Sequence, residues 1–204
     1  SLVGSEMCIR DRLAINQNPE FIWCSSTAQV GSHMGYVFPL NFGGSSCLCV
    51  PQHIVDQFYM ADGRDIKNSS SAYPYISRPY DKTCVTTEDK VLSEGYKISQ
   101  GTYLAYTNRE PRFYNTVFFQ NRRWHVSNNV TQFHKGSPNE LSGTIYTLTG
   151  YMLYKRFNRE VNKKSPGVTS KFRPSIIFRL ADFYLLYAEA VNEIDPNDAR
   201  VLTY

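Results

Sequence analysis

The chain has 204 residues, of which 42% are apolar and 20% charged, and its formal net charge is +4. This composition supports a packed core and excludes a disordered or collagen-like chain, and the mild, scattered basic excess falls short of a nucleic-acid-binding surface. The sequence has no run of about 18 apolar residues, so it predicts no transmembrane helix. Aromatic residues are numerous, with 15 Tyr, 12 Phe and 2 Trp. Exposed aromatic side chains are typical of binding surfaces, and several tyrosines stand among polar neighbours: Tyr73, Tyr75, Tyr80, Tyr96, Tyr103 and Tyr106.

The two ends of the chain differ in character from its middle. Residues 1–12, SLVGSEMCIRDR, are unlike the rest of the chain and resemble a translated sequencing adapter, so we interpret them as a non-native leader. At the other end, residues 195–198 combine the end of one helix with start signals for another. The remaining residues, 199–204, are too few for a stable isolated helix. We therefore expect residues 13–204 to be a region truncated at both ends.

Short predicted elements alternate with long loops in the first half of the chain. Residues 19–24, PEFIWC, have the length and composition of a strand. Residues 28–50 contain several glycines among aromatic residues and predict an irregular loop. Pro51 suits the first turn of a helix, and the spacing of the apolar residues after it predicts a short helix over 51–58.

The second half predicts two strands and one long helix. Phe113–Phe119 is rich in aromatic and β-branched residues and predicts a strand, with a hairpin turn at 120–123. Residues 150–157 predict a further strand. Residues 174–194 carry apolar side chains at steps of three and four on more than one side, which predicts a helix packed between neighbours. The predicted fold class is α+β and rich in loops.

The five cysteines give no signal for a metal or redox site. Cys47 and Cys49 form a C-x-C, whereas zinc and redox motifs use C-x-x-C. No close second pair of Cys or His residues completes a ligand set. We therefore expect no metal and no cofactor.

Five segments, in this order along the chain, resemble the motifs of the SusD/RagB family. They are residues 18–23 (NPEFIW), 51–63 (PQHIVDQFYMADG), 108–113 (NREPRF), 150–157 (GYMLYKRF) and 174–190 (PSIIFRLADFYLLYAEA). Glu110 stands where the family's N-R-D-P-R box has Asp. No segment is specific alone, but five in order over residues 16–198 identify the chain as a member of this family.

The resemblance implies a protein that is not an enzyme. Family members are lipoproteins on the extracellular face of the outer membrane of Bacteroidetes-type bacteria, held there by an N-terminal lipidated cysteine. They cap a SusC-like TonB-dependent transporter and pass it oligosaccharides or other nutrients. The family fold is mostly α-helical, with a tetratricopeptide-like scaffold. The resemblance implies that residues 13–204 are its loop-rich C-terminal region, without the anchor and with one scaffold helix.

A glycan site needs flat aromatic rings for the apolar faces of sugars and polar side chains for their hydroxyls. The candidates in the glycine-rich loop are Tyr36, Phe38, Asn41 and Phe42, and Trp124 beside Arg122 and Arg123 is another. The alternative for each ring is packing in the core. The family resemblance assigns none of these residues.

Five charged residues are predicted to be structural. Arg109 and Arg112 in the NREPRF segment can brace backbone carbonyls and carboxylates where a helix meets a strand, a task that suits the guanidinium group. Arg179, Asp182 and Glu189 are predicted to form a polar network in the scaffold, because Arg179 precedes Asp182 by one helical turn.

Two alternatives to nutrient capture remain. The aromatic residues could face the transporter, in which case the protein is an interaction scaffold without a ligand. A glycoside hydrolase would need two carboxylates across a cleft. Carboxylates are available, but no motif places them together: Glu88, Asp89, Glu94 and Glu140.

Overall fold

The structure, a computed structural model, describes residues 20–24, 35–78, 81–125, 128–134, 136–137, 139, 147–155 and 176–202. Its helices are α1 (Gln52–Asp56), α2 (Pro111–Thr116) and α3 (Leu180–Ile194), and its strands are β1 (Phe21–Cys24), β2 (Lys90–Val91), β3 (Lys97–Ile98), β4 (Val117–Phe118), β5 (Met152–Leu153) and β6 (Ile176–Arg179). The chain divides into two compact units, one made of residues 1–30 and 171–204 and the other of residues 31–170. Long loops join these short elements, so the fold is α+β and loop-rich, as predicted.

The first unit consists of a two-stranded sheet and α3. β1 pairs with β6 in antiparallel register, with Phe21 opposite Arg179 and Trp23 opposite Phe178. The rings of Trp23 and Phe178 stack with their centroids 6.1 Å apart. The strand predicted from PEFIWC is therefore confirmed, and its partner comes from more than 150 residues away along the chain.

α3 begins at Leu180, later than the sequence predicts. Residues 176–179 are extended in β6, since their β-branched and aromatic side chains suit strand pairing with β1. Asp182 then caps the helix: its Oδ2 accepts the backbone N–H of Arg179 at 3.1 Å and its Oδ1 lies 3.4 Å from Arg179 Nε. The predicted packing between neighbours is absent among the described residues, where Leu185 and Leu186 are 64% and 54% exposed.

The core of the second unit lies around β4 and β5. These strands pair with Val117 opposite Leu153 and Phe118 opposite Met152, and a bridge from Cys49 to Met152 extends the pairing. β2 and β3 form a separate hairpin. The strand predicted over 150–157 is thus reduced to two residues among those described.

The strand predicted over Phe113–Phe119 is wrong for its first part. Residues 111–116 form α2, and only 117–118 are extended. Pro111 explains the difference, because proline at the first helical position has the required φ and loses no hydrogen bond there. Asn121 adopts a left-handed turn conformation (φ 64°), but the chain beyond it bridges to β3 and Val130 instead of returning along β4.

A buried arginine organises this core. Arg122 donates from Nη1 to the carbonyls of Tyr114 and Val117, both at 2.7 Å. Its guanidinium lies 4.1 Å from the ring centre of Tyr96 and 4.4 Å from that of Tyr154. A planar delocalised cation can stack on rings and bond to carbonyls at once, which is why arginine rather than lysine suits this position.

No helix among the described residues combines the length and the apolar character needed to cross a membrane.

Candidate functional site

Three of the predicted ligand-binding rings lie in the core of the second unit. Trp124 is 2% exposed, and its ring stacks on Phe42 with centroids 5.0 Å apart and an angle of 10°. Phe38 and Phe118 pack on the same indole at 5.2 and 5.4 Å. Since protein rings cover these surfaces, Phe38, Phe42 and Trp124 contribute to packing and offer no face to a sugar in this structure.

A glycine makes this packing possible. A Cβ on Gly44 would lie 2.1 Å from the carbonyl oxygen of Phe38, a distance that no side chain can occupy. The loop therefore folds back on itself, with Ser46 N donating to Phe38 O at 3.0 Å. The sequence shows glycines among aromatic residues, but it does not show which glycine approaches Phe38.

Tyr36 and Asn41 have different positions. Tyr36 is 54% exposed, so its ring is available at the surface. Asn41 is half-buried, and its backbone N–H donates to Asn139 Oδ1 at 3.0 Å. A ligand role for these two residues stays a prediction.

The residues predicted as structural fall into both units. In the second unit, Arg109 donates to three backbone carbonyls, and Arg112 pairs with Glu110 at 3.0 Å. In the first unit, Arg179 pairs with Asp182. Glu189 is exposed on α3, and among the described residues it makes no ion pair with Arg179. Arg109, Arg112 and Arg179 thus make local contacts within their own units, and a network that includes Glu189 stays a prediction.

The second unit contains a cavity of about 760 Å³ whose lining residues the sequence analysis did not group together. This volume falls within the ~300–1,000 Å³ range of small-molecule sites. We call it the tyrosine cavity. It is lined by Gln52, Val55, Asp56, Tyr75, Ser77, Arg78, Asp81, Lys82, Tyr103, Ala105, Tyr106, Arg109 and Tyr151.

Tyrosine rings form one wall of the tyrosine cavity. Tyr106 lies edge-on to both Tyr103 and Tyr151, with centroids 5.5 and 5.8 Å apart, and packs on Phe119 at 4.7 Å. The Tyr106 hydroxyl donates to the Tyr151 hydroxyl at 3.2 Å. Burial, together with the neighbouring Tyr151, raises the pKa of Tyr106 well above its usual range. Both hydroxyls are thus neutral hydrogen-bonding groups at physiological pH.

A polar pair from α1 faces this wall. Gln52 Nε2 donates to Asp56 Oδ1 at 2.8 Å, one turn apart on the helix. Burial raises the pKa of Tyr151 above its usual range, and the hydrogen bond with Tyr106 offsets part of that rise. The helix therefore places an amide and a carboxylate beside the ring wall.

Four further charged side chains line the cavity, and three of them, Arg78, Asp81 and Arg109, are paired or bonded to backbone, while Lys82 is the fourth. Arg78 lies 3.9 Å from Asp81. Arg109 is 2% exposed and directs Nη2 to the carbonyls of Val55 and Phe58, both at 2.7 Å. Burial lowers the pKa of Arg109, but an arginine remains charged at physiological pH.

Of the carboxylates considered for a hydrolase, Glu88 and Asp89 are described, and neither lines the tyrosine cavity. Glu88 and Asp89 are exposed, and Asp89 accepts from Gln100 N at 2.8 Å and pairs with Arg123. The side chain of Glu94 and the whole of Glu140 lie outside the described residues. Among the described residues, no group of three or more His, Cys, Asp or Glu side chains could hold a metal ion.

The composition contained a signal for this site. Tyr75, Tyr103 and Tyr106 belong to the tyrosines with polar neighbours, and all three line the cavity. Of the others, Tyr96 is buried and Tyr73 is exposed, while Tyr80 lies outside the described residues. The missing information was which of these rings meet in space.

Comparison with known proteins establishes the class of this chain. A model described as the SusD family, SusD_RagB, matches residues 19–204. The chain belongs to the SusD family. Proteins of this family are surface lipoproteins associated with the outer membrane, and they are binding proteins, not enzymes. No curated protein matches the chain.

Two solved structures have a similar fold. BT4246, a SusD-like protein of Bacteroides, superposes with a TM-score of 0.62 and 18% sequence identity over 87% of this chain and 30% of its own. The selenomethionine form of BT4246 gives a TM-score of 0.56 and 18% identity over 89% of this chain and 32% of its own. The chain thus spans about a third of the length of these proteins, and at this identity the likeness concerns the fold alone.

Proposed function

We propose that this chain is part of a surface lipoprotein that captures oligosaccharides on the extracellular face of the outer membrane and delivers them to a SusC-like TonB-dependent transporter. The observation that carries the proposal is the tyrosine cavity in a chain of the SusD family. In this proposal, residues 1–12 are a foreign leader and residues 13–204 belong to the C-terminal region. A cysteine outside the chain carries the lipid, and α3 belongs to a tetratricopeptide-like scaffold.

The chemistry of the cavity supports capture of a sugar. A sugar ring has apolar C–H faces and a polar edge of hydroxyls, and the cavity combines tyrosine rings with an amide, a carboxylate and neutral hydroxyls. Each hydrogen bond contributes only ~1 kcal/mol net. Several weak contacts of this kind allow capture followed by release, which a delivery protein requires.

An interaction scaffold without a ligand is the second candidate, and the first unit supplies the observation in its favour. Large apolar side chains are exposed on β1, β6 and α3, among them Trp23 at 57% and Ile177 at 48%. Apolar surfaces of this kind are typical of protein contacts. This candidate predicts complex formation without any affinity for glycans.

The experiment combines ligand binding with complex formation. We expect the purified protein to be retarded in gels containing one or more polysaccharides and to release heat on titration with the matching oligosaccharide. We also expect it to copurify with a SusC-like transporter from the same bacterium. Absence of binding to every glycan tested would overturn capture, and retained copurification would then favour the scaffold. A peptide that binds in place of all glycans would also overturn the proposal. Sustained release of reducing ends from a polysaccharide would show an enzyme instead.

A further inference from the structure

Two thiols of the second unit lie two residues apart, where the chain runs along β5. Cys47 is exposed, Cys49 is half-buried, and both are free thiols. Cys49 Sγ donates to the carbonyl oxygen of Cys47 at 3.5 Å, so the second sulfur turns towards the residue that carries the first. Cys49 Sγ also accepts the backbone N–H of Leu148 at 3.3 Å. A hydrogen bond of this kind becomes stronger when the thiol is ionised to a thiolate.

A third sulfur-containing side chain stands opposite Cys49. Cys49 forms an antiparallel bridge with Met152, and the hydrogen bonds of this ladder are made by the residues on either side of the pair, at 2.9 and 3.3 Å. Cys49 and Met152 are therefore a non-hydrogen-bonded pair. In such a pair the two Cα atoms are ~4.5 Å apart and both side chains stand on the same face of the sheet. Two thiols and one thioether are thus grouped at this edge.

The backbone between the two thiols suits a shared ion better than a disulfide. Leu48 O accepts the N–H of Leu153 in this ladder, and extended backbone separates alternate residues by ~6.4–6.8 Å. A disulfide requires Cβ atoms ~3.5–4.5 Å apart, whereas the side chains of alternate strand residues run parallel and keep the wider spacing. Metal–thiolate bonds of ~2.3 Å let two sulfurs stay up to ~4.6 Å apart, a distance that rotation about the Cα–Cβ bonds can reach.

The ligand types determine the class of ion. Thiolate and thioether sulfurs are soft ligands, which Cu(I) prefers. Structural zinc sites take four ligands, and no His, Asp, Glu or further Cys group completes a cluster of three in the described part of the chain. The sequence analysis expects no metal because a C-x-C alone resembles no zinc motif. The thioether opposite Cys49 comes from about a hundred residues further along, and only the bridge between the strands shows it.

We propose that Cys47, Cys49 and Met152 bind one Cu(I) ion. The two thiols release their protons to solvent, the two thiolates bind the ion, and the neutral thioether of Met152 adds the third sulfur. The loaded site carries one negative charge, because two thiolates surround one monovalent cation. The exposed position of Cys47 gives the ion access from solvent. This inference depends neither on the tyrosine cavity nor on glycan capture.

The test is a competition for Cu(I) between the fully reduced protein and a chromophoric Cu(I) chelator under anaerobic conditions. The parent protein should withdraw one equivalent of Cu(I) from the chelator. Loss of an outer-shell partner weakens metal binding ~10–100-fold, so loss of a thiolate in Cys47→Ser or Cys49→Ser should weaken it by at least about a hundredfold. Met152→Leu, which keeps the apolar volume, should weaken binding about tenfold. Binding should also weaken as the pH falls, because the ion displaces protons.

Cys84→Ser and Cys24→Ser are the matched controls. Cys84 is buried, and its Sγ donates to Ile76 O at 3.9 Å. Cys24 belongs to the first unit. Both variants should bind Cu(I) as the parent does, and circular dichroism and urea midpoints verify the folding of every variant.

Several results would overturn the inference. One is an equal loss of affinity in all four cysteine variants, which would show unspecific binding by thiols. Another is an affinity that neither Cys47→Ser nor Cys49→Ser changes. One Cu(I) per two chains, with a dimer in size-exclusion chromatography, would show an ion held between molecules. Tighter binding of Zn²⁺ than of Cu(I) would overturn the class of ion, and an unchanged affinity in Met152→Leu would overturn the three-sulfur site.

Discussion

Replacing Arg109 by Met tests how the second unit holds α1 in place. Arg109 Nη2 donates to the carbonyls of Val55 and Phe58 at 2.7 Å, and Nη1 donates to the carbonyl of Ala105 at 3.3 Å. These carbonyls belong to the end of α1 and to the loop before Arg109. One side chain therefore joins two segments that are about fifty residues apart in the sequence.

The magnitude depends on the hydrogen bonds that the carbonyls would lose. Tyr59 N–H, which would continue the helix by bonding to Val55 O, donates instead to Glu110 Oε1 at 3.0 Å. Arg109 N–H, four residues after Ala105, donates to Tyr114 Oη at 3.1 Å. Without the guanidinium, these oxygens lose their side-chain donor, and the contacts to Val55 and Ala105 are buried from water. Two short charged hydrogen bonds contribute ~1.5–3 kcal/mol each, and the methionine side chain recovers part of the burial, so we expect a loss of about 3–5 kcal/mol.

The assay is urea unfolding followed by tryptophan fluorescence. In a Trp23→Phe background, Trp124 is the one remaining tryptophan and reports on the core of the second unit. With a slope of ~2 kcal/mol/M, Arg109→Met should lower the urea midpoint by about 2 M. Arg109→Lys should recover little of the lost stability, because a single ammonium group cannot bond to three carbonyls that lie around a planar guanidinium.

Arg112→Met is the matched control. Arg112 lies three residues further along, its side chain is 54% exposed, and it pairs with Glu110. Exposed ion pairs contribute ~0–1 kcal/mol, so the midpoint should move by less than about 0.5 M. Two results would refute the assignment of the three carbonyl contacts. One is an equal shift of the urea midpoint in Arg109→Met and Arg112→Met, and the other is a loss of stability below ~1 kcal/mol in Arg109→Met.

Two further predictions concern the buried rings. Trp124→Ala should destabilise the chain by ~3–5 kcal/mol through loss of buried contacts. Trp23→Ala, at a position 57% exposed, should destabilise it by less than about 1.5 kcal/mol. Calorimetric unfolding compares the two variants, and equal losses of stability would contradict the burial of Trp124. Burial raises the pKa of Tyr114 from 10.0 to about 12, so the folded state keeps a proton that the unfolded state loses. Stability should be fully retained below pH 10 and fall between pH 10 and 12 by up to ~1.4 kcal/mol per pH unit. Tyr114→Phe should remove this contribution from the pH dependence of the urea midpoint. An unchanged pH dependence in Tyr114→Phe would contradict the raised pKa of Tyr114.

Local signals in the sequence determined several features of the fold. The strand-forming run before Cys24 and the proline-led turn of α1 each appear where the sequence predicts them. The ordered motifs determined membership of the SusD family, which the match over residues 19–204 shows. These features depend on residues that are close together in the chain, so backbone preferences and spacing suffice to predict them.

Other features depended on which of two competing backbone preferences prevailed. The side chains of 176–178 suit a helix or a strand, and pairing with β1 decided for the strand. Pro111 favoured a helix where aromatic and β-branched residues favoured a strand. In both places two local preferences competed. A strand from a distant segment decided the first, and the local effect of Pro111 at the start of the helix decided the second.

The candidate site shows the same division most clearly. Composition determined that this chain has many aromatic residues, and the order of the sequence determined that some of its tyrosines have polar neighbours. The tertiary structure decided that Phe38, Phe42 and Trp124 pack together in the core, whereas Tyr103 and Tyr106 meet Asp56 at a cavity. The physical reason is that a ring gains the same free energy from leaving water against another ring as against a ligand. Which surface it meets is set by long-range packing, and no short stretch of sequence contains that information.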